Sequence, residues 1–307
     1  MANIRIEGSF VAMITPMNSD GSIDFDGFKT LLEFQAANRT SAVLIMGSTG
    51  EVSMLTPDER ARVIEHTMPM KQPGLEMWYG CTGSNTDQTI RYCSIAASSG
   101  ADGAIVAAPP YISASEQDIV DYFLEIADAS EIPIGIYNNP PRVNTDLTHT
   151  SLLRLAQHEN IVVNKESTSR VGQIAQTAAG EPDISLMCCD SPNLGLVIPL
   201  MALGGHGTAN MSANVIPQEM ATISTPWKTW SDARACKEEW LKNLPLLHFV
   251  YSAINPVALK SLMQEIGLPA GPLRKPLTAL PKDRVKLGLG ICKSLGLGEK
   301  YGYSIKG

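Results

Sequence analysis

Ile161-Val162-Val163-Asn164-Lys165 is a short apolar run that ends in an amine. Such a run, bounded by polar residues, reads as a buried strand, and the residue that closes it points into the space beyond the sheet. A lysine held there is costly to keep charged, whereas a neutral amine attacks a ketone carbonyl to form a Schiff base. The plainer alternative is a strand-end lysine reaching for solvent, where most lysines are found.

Two other segments have the same layout. Ala42-Val43-Leu44-Ile45-Met46 runs into Gly47-Ser48-Thr49-Gly50-Glu51, and Ile134-Gly135-Ile136 runs into Tyr137-Asn138-Asn139-Pro140. Working outward, candidate strands fall at 10–14, 42–46, 75–80, 104–108, 133–137, 161–165, 184–188 and 207–211. Helix signals lie between them. Thr56-Pro57-Asp58-Glu59 sets an N-cap, a first-turn proline and a capping-box glutamate, and Ser115 to Asp118 opens a helix with Ile119, Tyr122, Phe123 and Ile126 on one face. Eight buried strands alternating with helices predict an α/β fold of the (β/α)8 TIM barrel type, whose active site lies at the C-terminal strand ends. An open doubly wound sheet competes, but no G-x-G-x-x-G follows the first strand.

After the eighth strand the aromatic-rich Pro226-Trp227-Lys228-Thr229-Trp230 precedes apolar patterns that predict helices near 231–249, 256–266 and 282–294, with a turn-forming loop at 268–276. The expected organisation is a barrel carrying the active site over 1–225 and a C-terminal helical extension over 226–307. The whole length of 307 residues is compatible with one barrel, a fold that takes about 250 residues.

Composition narrows the partners. With 24 basic against 31 acidic residues, the net charge of −7 argues against a nucleic-acid or anionic-membrane surface. No stretch approaches the ~20 apolar residues of a membrane span. Met1-Ala2-Asn3-Ile4-Arg5 lacks the apolar region of a secretion signal, so a cytoplasmic protein is expected. Six cysteines, at 81, 93, 188, 189, 236 and 292, have no CxxC spacing and read as reduced thiols, with Cys188 and Cys189 in the core or a pocket. The histidines at 66, 149, 158, 206 and 248 are scattered, so neither a metal site nor a cofactor is expected, and His206 reads as a packed turn residue.

A Schiff-base enzyme acting on a 2-oxo acid needs an amine, a carboxylate clamp and a proton shuttle. Lys165 is the amine. Ser48 and Thr49, on a glycine-flanked turn, offer hydroxyls and backbone N–H groups to a carboxylate. Tyr137 can pass protons if a neighbouring hydroxyl such as that of Thr49 polarises it. The turn is not a Walker loop, since the lysine and hydroxyl of that motif are missing.

Four motifs in this order resemble the dihydrodipicolinate synthase and N-acetylneuraminate lyase superfamily over essentially the whole chain: Gly47-Ser48-Thr49-Gly50-Glu51, Tyr137-Asn138-x-Pro140, Lys165-Glu166, and Leu203-Gly204-Gly205-His206-Gly207. The resemblance implies a class I aldolase in which Lys165 condenses with pyruvate or a related 2-oxo acid. It implies that Ser48 and Thr49 serve as carboxylate and relay groups and Tyr137 as the acid/base. Tyr111, after Ala108-Pro109-Pro110, would be a relay tyrosine donated across a tight-dimer interface, and Ala209 a substrate-binding position. A homotetramer built as a dimer of dimers is expected by the same analogy.

Arg142 stands where the synthases hold the carboxylate of aspartate semialdehyde, and Lys165-Glu166-Ser167-Thr168 is similar to their Lys-Glu-Ala-Thr. The sequence departs from the synthases at Ser48 for threonine, at Ser169-Arg170 for Gly-Asp, and at Asn144 and Cys189 for glycines. These departures bear on the second substrate and leave the pyruvate half intact. The alternatives are the same enamine chemistry on another partner (a sugar-acid aldolase, a 2-keto-3-deoxy-acid dehydratase or a hydratase-aldolase) and a barrel that binds a 2-oxo acid without turnover.

Overall fold

The apolar runs become strands because their side chains can be buried on both faces, one against the barrel interior and one against the surrounding helices. The computed structural model describes residues 6–305, and within it eight parallel strands close in chain order. They are Gly8–Ala12 (β1), Ala42–Ile45 (β2), Glu76–Gly80 (β3), Gly103–Ala107 (β4), Ile134–Asn138 (β5), Ile161–Glu166 (β6), Ser185–Cys188 (β7) and Gly207–Asn210 (β8). β8 returns to β1 with Gly207 opposite Gly8, so no sheet edge is left open. The first strand begins at Gly8 rather than Phe10, and Met13 and Ile14 lie past its end but remain buried.

Alternation along each strand sorts the core into two layers. Phe10, Leu44, Trp78, Ile105, Val163, Met187 and Ala209 fill the barrel interior, while Val43, Ile45, Met77, Tyr79, Ala104 and Val106 face the helices. The interior is packed tightly enough to dictate a glycine. A Cβ on Gly103 would lie 2.4 Å from the Trp78 ring, so β4 can pass that indole only without a side chain. Phe10 meets the same indole edge-on at 6.0 Å.

The helices around the barrel are Phe25–Ala37 (α1), Pro57–Thr67 (α2), Thr86–Ser98 (α3), Glu116–Ala129 (α4), the single turn Pro140–Val143 (α5), His149–Leu155 (α6), Val171–Ala179 (α7), Val197–Ala202 (α8) and Pro217–Ile223 (α9). The capping box read at Thr56 is formed, and the helix start read at Ser115 is a capping box as well, closed by Asp118. The extension comprises Trp230–Val250 (α10), Val257–Glu265 (α11), Lys282–Ser294 (α12) and a short Leu297–Tyr301 (α13) that the sequence pattern did not mark. Among the described residues no helix is long and apolar enough to cross a membrane, and all six cysteines are buried and unpaired. The Met1–Arg5 stretch, where a secretion signal would begin, lies outside the described residues.

A buried ion pair fastens the extension to the barrel. Lys260 of α11 places Nζ 2.7 Å from Glu51 Oε1 and donates to the carbonyls of Thr15 and Pro272 at 3.0 and 2.9 Å. Glu51 Oε2 accepts from the Arg274 backbone at 2.8 Å, and the Arg274 guanidinium pairs with Glu59 at the start of α2. Burial pulls the Lys260 ammonium below its ordinary value, and the Glu51 carboxylate opposes that pull. Removing one member leaves the other as an uncompensated buried charge, at a cost of about 3–5 kcal/mol. Lys260→Met is therefore expected to lose that much stability in urea unfolding, and a Glu51→Gln background should reduce the loss. A loss under ~1 kcal/mol would mean that water reaches Glu51.

Candidate active site

Residue parity decides which side chains enter the barrel mouth. Tyr137 and Lys165 are register partners on β5 and β6, one above the layer that contains Val163, and both project inward. Lys165 is 4% exposed, its Nζ lies 4.4 Å from the centre of the Tyr137 ring, and among the described residues no carboxylate is within ion-pair distance. The end of β2 supplies the third element. Met46 and Glu51 both adopt left-handed backbone conformations (φ 58° each), and Gly50 N donates to Gly47 O across the turn at 3.0 Å. Thr15 Oγ1 donates to the Gly50 carbonyl at 2.6 Å and pins the turn from below. Ser48 is left half-buried and Thr49 buried at the mouth.

A cavity of about 300 Å³ is lined by Ser48, Thr49, Tyr137, Arg142, Lys165 and Ala209, so six of the seven residues expected from the sequence converge. An adjoining, more apolar chamber of about 410 Å³ shares Ser48, Tyr137, Arg142 and Asn255 with it. Tyr111 is the exception. It lines neither cavity, is 98% exposed and has a φ of 80°, so it stands away from the cavity that holds Lys165. Arg142, on the single turn α5, makes its one side-chain hydrogen bond among the described residues to the Asn255 carbonyl at 3.3 Å.

Among the described residues no hydrogen bond joins Thr49 to Tyr137, and each hydroxyl instead meets an asparagine that the sequence reading missed. Asn255 Nδ2 donates to Thr49 Oγ1 at 2.9 Å, and Asn139 Nδ2 donates to the Tyr137 hydroxyl. Each hydroxyl oxygen thus accepts an amide proton and keeps its own O–H for another acceptor. Asn255 comes from the extension, together with Tyr251 and Ile254, so the active-site wall is not made by the barrel alone. The only local hint was the Asn255-Pro256 pair, a turn signal that says nothing about where the turn docks.

The sequence departures have local explanations. Asn144 is left-handed (φ 55°), a conformation asparagine tolerates, and its Nδ2 donates to Ser113 Oγ at 2.9 Å. Arg170 Nε lies 2.6 Å from Asp146 Oδ2. Cys188 is core and Cys189 lines the cavity, where burial pushes its thiol up and away from the reactive thiolate. His206 Nδ1 accepts from Leu186 N at 3.0 Å, as suits a packed turn residue.

A model of the dihydrodipicolinate synthetase family matches residues 5–287. Among similar proteins is the 4-hydroxy-tetrahydrodipicolinate synthase of Gluconacetobacter diazotrophicus, 32% identical over 92% of this chain and 95% of that protein. The enzyme of the same name from Lachnoclostridium phytofermentans is 30% identical over 94% of this chain and 98% of its own. The dihydrodipicolinate synthase structure from Aquifex aeolicus superposes with a TM-score of 0.89 at 30% identity, covering 95% of this chain and 99% of that one. That of the chloride-inhibited dihydrodipicolinate synthase from Acinetobacter baumannii complexed with pyruvate gives 0.87 at 28% identity, covering 95% and 99%.

Next to Lys165 on β6, Glu166 faces the other way and is buried. Its Oε1 accepts from Asn138 Nδ2, Ser167 N and Thr168 N at 3.0, 2.9 and 2.8 Å. Burial pushes this carboxyl up to about 7 from an ordinary 4.5, against the three donors that favour the charged form. A carboxyl raised on folding contributes its full stability below the unfolded value and loses it as the pH rises through the folded one. Melting temperatures measured across the pH scale are therefore expected to diverge between wild type and Glu166→Gln from pH 4.5 to about 7, in favour of the variant, and to run parallel above that. Curves parallel throughout would mean that the three donors keep Glu166 ionised.

Proposed function

The chain belongs to the dihydrodipicolinate synthetase family, and we propose that it is a class I aldolase-type lyase that joins pyruvate to an aldehyde, with aspartate semialdehyde as the partner. The observation that carries the reading is the amine of Lys165, buried at a strand end beside a tyrosine and without a carboxylate partner among the described residues. A lysine whose amine is not engaged by a carboxylate is free to meet a bound carbonyl as a nucleophile.

In this reading the free amine of Lys165 adds to the ketone carbon of pyruvate, and the carbinolamine loses its hydroxyl as water to leave an iminium. The iminium draws electrons from the neighbouring methyl carbon, which gives up a proton and becomes an enamine. The enamine carbon then attacks the aldehyde carbon, the new alkoxide takes a proton, and hydrolysis returns Lys165. Tyr137, whose O–H is not committed to Thr49, is the group we assign to these proton transfers. Ser48, Thr49 and the turn that bears them are the pyruvate-carboxylate clamp, with Ala209 across the cavity, and Arg142 is the fork for the carboxylate of the aldehyde.

Tyr111 and its neighbour Ile112 are 98% and 56% exposed, which favours a role in another copy of the chain, as expected of an oligomer in which one subunit lends a tyrosine to the next. The six unpaired thiols favour a reducing compartment, hence the cytoplasm.

Incubation with pyruvate and reduction with borohydride is expected to leave a pyruvyl adduct on Lys165, located by peptide mass spectrometry, and Lys165→Ala should abolish both adduct and turnover while remaining folded. An adduct on any other lysine would overturn the assignment. Arg142→Ala is expected to raise the KM for the aldehyde roughly tenfold to a hundredfold, the range for losing a charge-assisted hydrogen bond, with little change for pyruvate. A rise confined to pyruvate would remove Arg142 from the aldehyde subsite.

A further inference from the structure

β5 and β6 are registered so that Tyr137 pairs with Lys165 and Asn138 pairs with Glu166. Successive side chains on a strand point to opposite faces, so Tyr137 and Lys165 face the barrel interior while Asn138 and Glu166 face outward. On the outer face Asn138 Nδ2 donates both to Glu166 Oε1 at 3.0 Å and to Asp146 Oδ1 at 2.9 Å, while Asn138 Oδ1 accepts from Leu147 N at 3.2 Å. Thr168 Oγ1 donates to Asp146 Oδ2 at 3.1 Å, and Arg170 Nε holds the same oxygen at 2.6 Å. Two carboxylates, one bridging amide, one hydroxyl and one guanidinium thus close a continuous network behind the reacting pair.

We propose that Asn138, Glu166, Asp146, Thr168 and Arg170 form a positioning unit that fixes β5 against β6 and so holds the Tyr137 ring beside the Lys165 amine, with Arg170 as the counter-charge that lets both carboxylates share one amide. None of the five lines either cavity, so any effect on turnover has to pass through Tyr137 and Lys165. The ladder between the strands is irregular at Ile134/Gly135, which means that pairing at the lower end does not dictate the register at the mouth. The Asn138–Glu166 bond is the side-chain contact that sets it there. Without Arg170 the partly exposed Asp146 carboxylate would stand beside the buried Glu166 carboxyl with only amide and hydroxyl donors between them, and the loop after β6 would have no charge holding it to the loop after β5. This gives the arginine at 170 a structural partner in Asp146.

The proposal rests on the Schiff-base reading of Lys165, and its test separates the two. Wild type, Arg170→Ala, Arg170→Lys and Asn138→Ala are compared for melting temperature, for kcat and KM, and for the rate of borohydride-trapped pyruvyl adduct at saturating pyruvate. Arg170 is half exposed, so its replacement leaves the fold in place. Arg170→Ala is expected to slow adduct formation and kcat about 10-fold with the pyruvate KM unchanged, Arg170→Lys to recover most of the rate, and Asn138→Ala to cost about 100-fold, the scale of a small misplacement of reacting groups. Adduct rates within about twofold of wild type in both alanine variants, whatever their melting temperatures, would reduce the network to a structural role and overturn the proposal. A pyruvate KM that rises while kcat holds would do the same. A wild type that forms no adduct at all would instead bring down the reading of Lys165, and the proposal with it.

Discussion

A charge inside a protein cannot be left alone, and the contact between Lys260 and Glu51 turns that constraint into architecture. Glu51 ends the turn that carries Ser48 and Thr49, and Lys260 sits on a helix of the extension, so neither the turn nor the helix can move without exposing an unpaired ion to a poorly hydrated interior. Five positions before Lys260, Asn255 is thereby brought to Thr49 and to Arg142. The extension is a structural part of the reaction chamber rather than an appendage to it.

Two buried lysines in the same chain illustrate how surroundings assign a role. Lys260 is held by a carboxylate and two carbonyls, which use all three of its donors and favour the ammonium form. Lys165 has an aromatic ring and an open cavity beside it, and no carboxylate among the described residues. Lys260 is an anchor. Lys165 instead keeps its amine turned to the cavity.

The barrel was legible because its signals are local. Each strand is a short apolar run, the capping box at Thr56 and the helix start at Ser115 are four-residue patterns, and strand ends can be located to within a residue or two from such runs. The inward-facing Lys165 and Tyr137 were legible for the same reason, since a reactive residue at the end of a buried strand has few places to point, whereas Ala209 came only through the family resemblance. Partners supplied from afar were not. Asn255 and Thr49 are 206 positions apart, and Lys260 and Glu51 are 209 apart, and nothing in the neighbourhood of either residue encodes the distant one. Tyr111 was legible as a motif but not as a location, because its surroundings in the sequence do not say that it stands 98% exposed and outside both cavities.

The packing of Trp78 and Phe10 against Gly103 has a further meaning for traffic through the site. With the floor of the barrel filled by rings, the described residues leave no back door, and everything that reaches Lys165 arrives and leaves through the opening framed by Ser48, Arg142 and Asn255. A molecule seated at Lys165 lies at the bottom of a dead-end passage, and one seated at Arg142 stands in the doorway. Lys165 is buried and Arg142 exposed, so groups bound at the two ends of the cavity meet very different amounts of water.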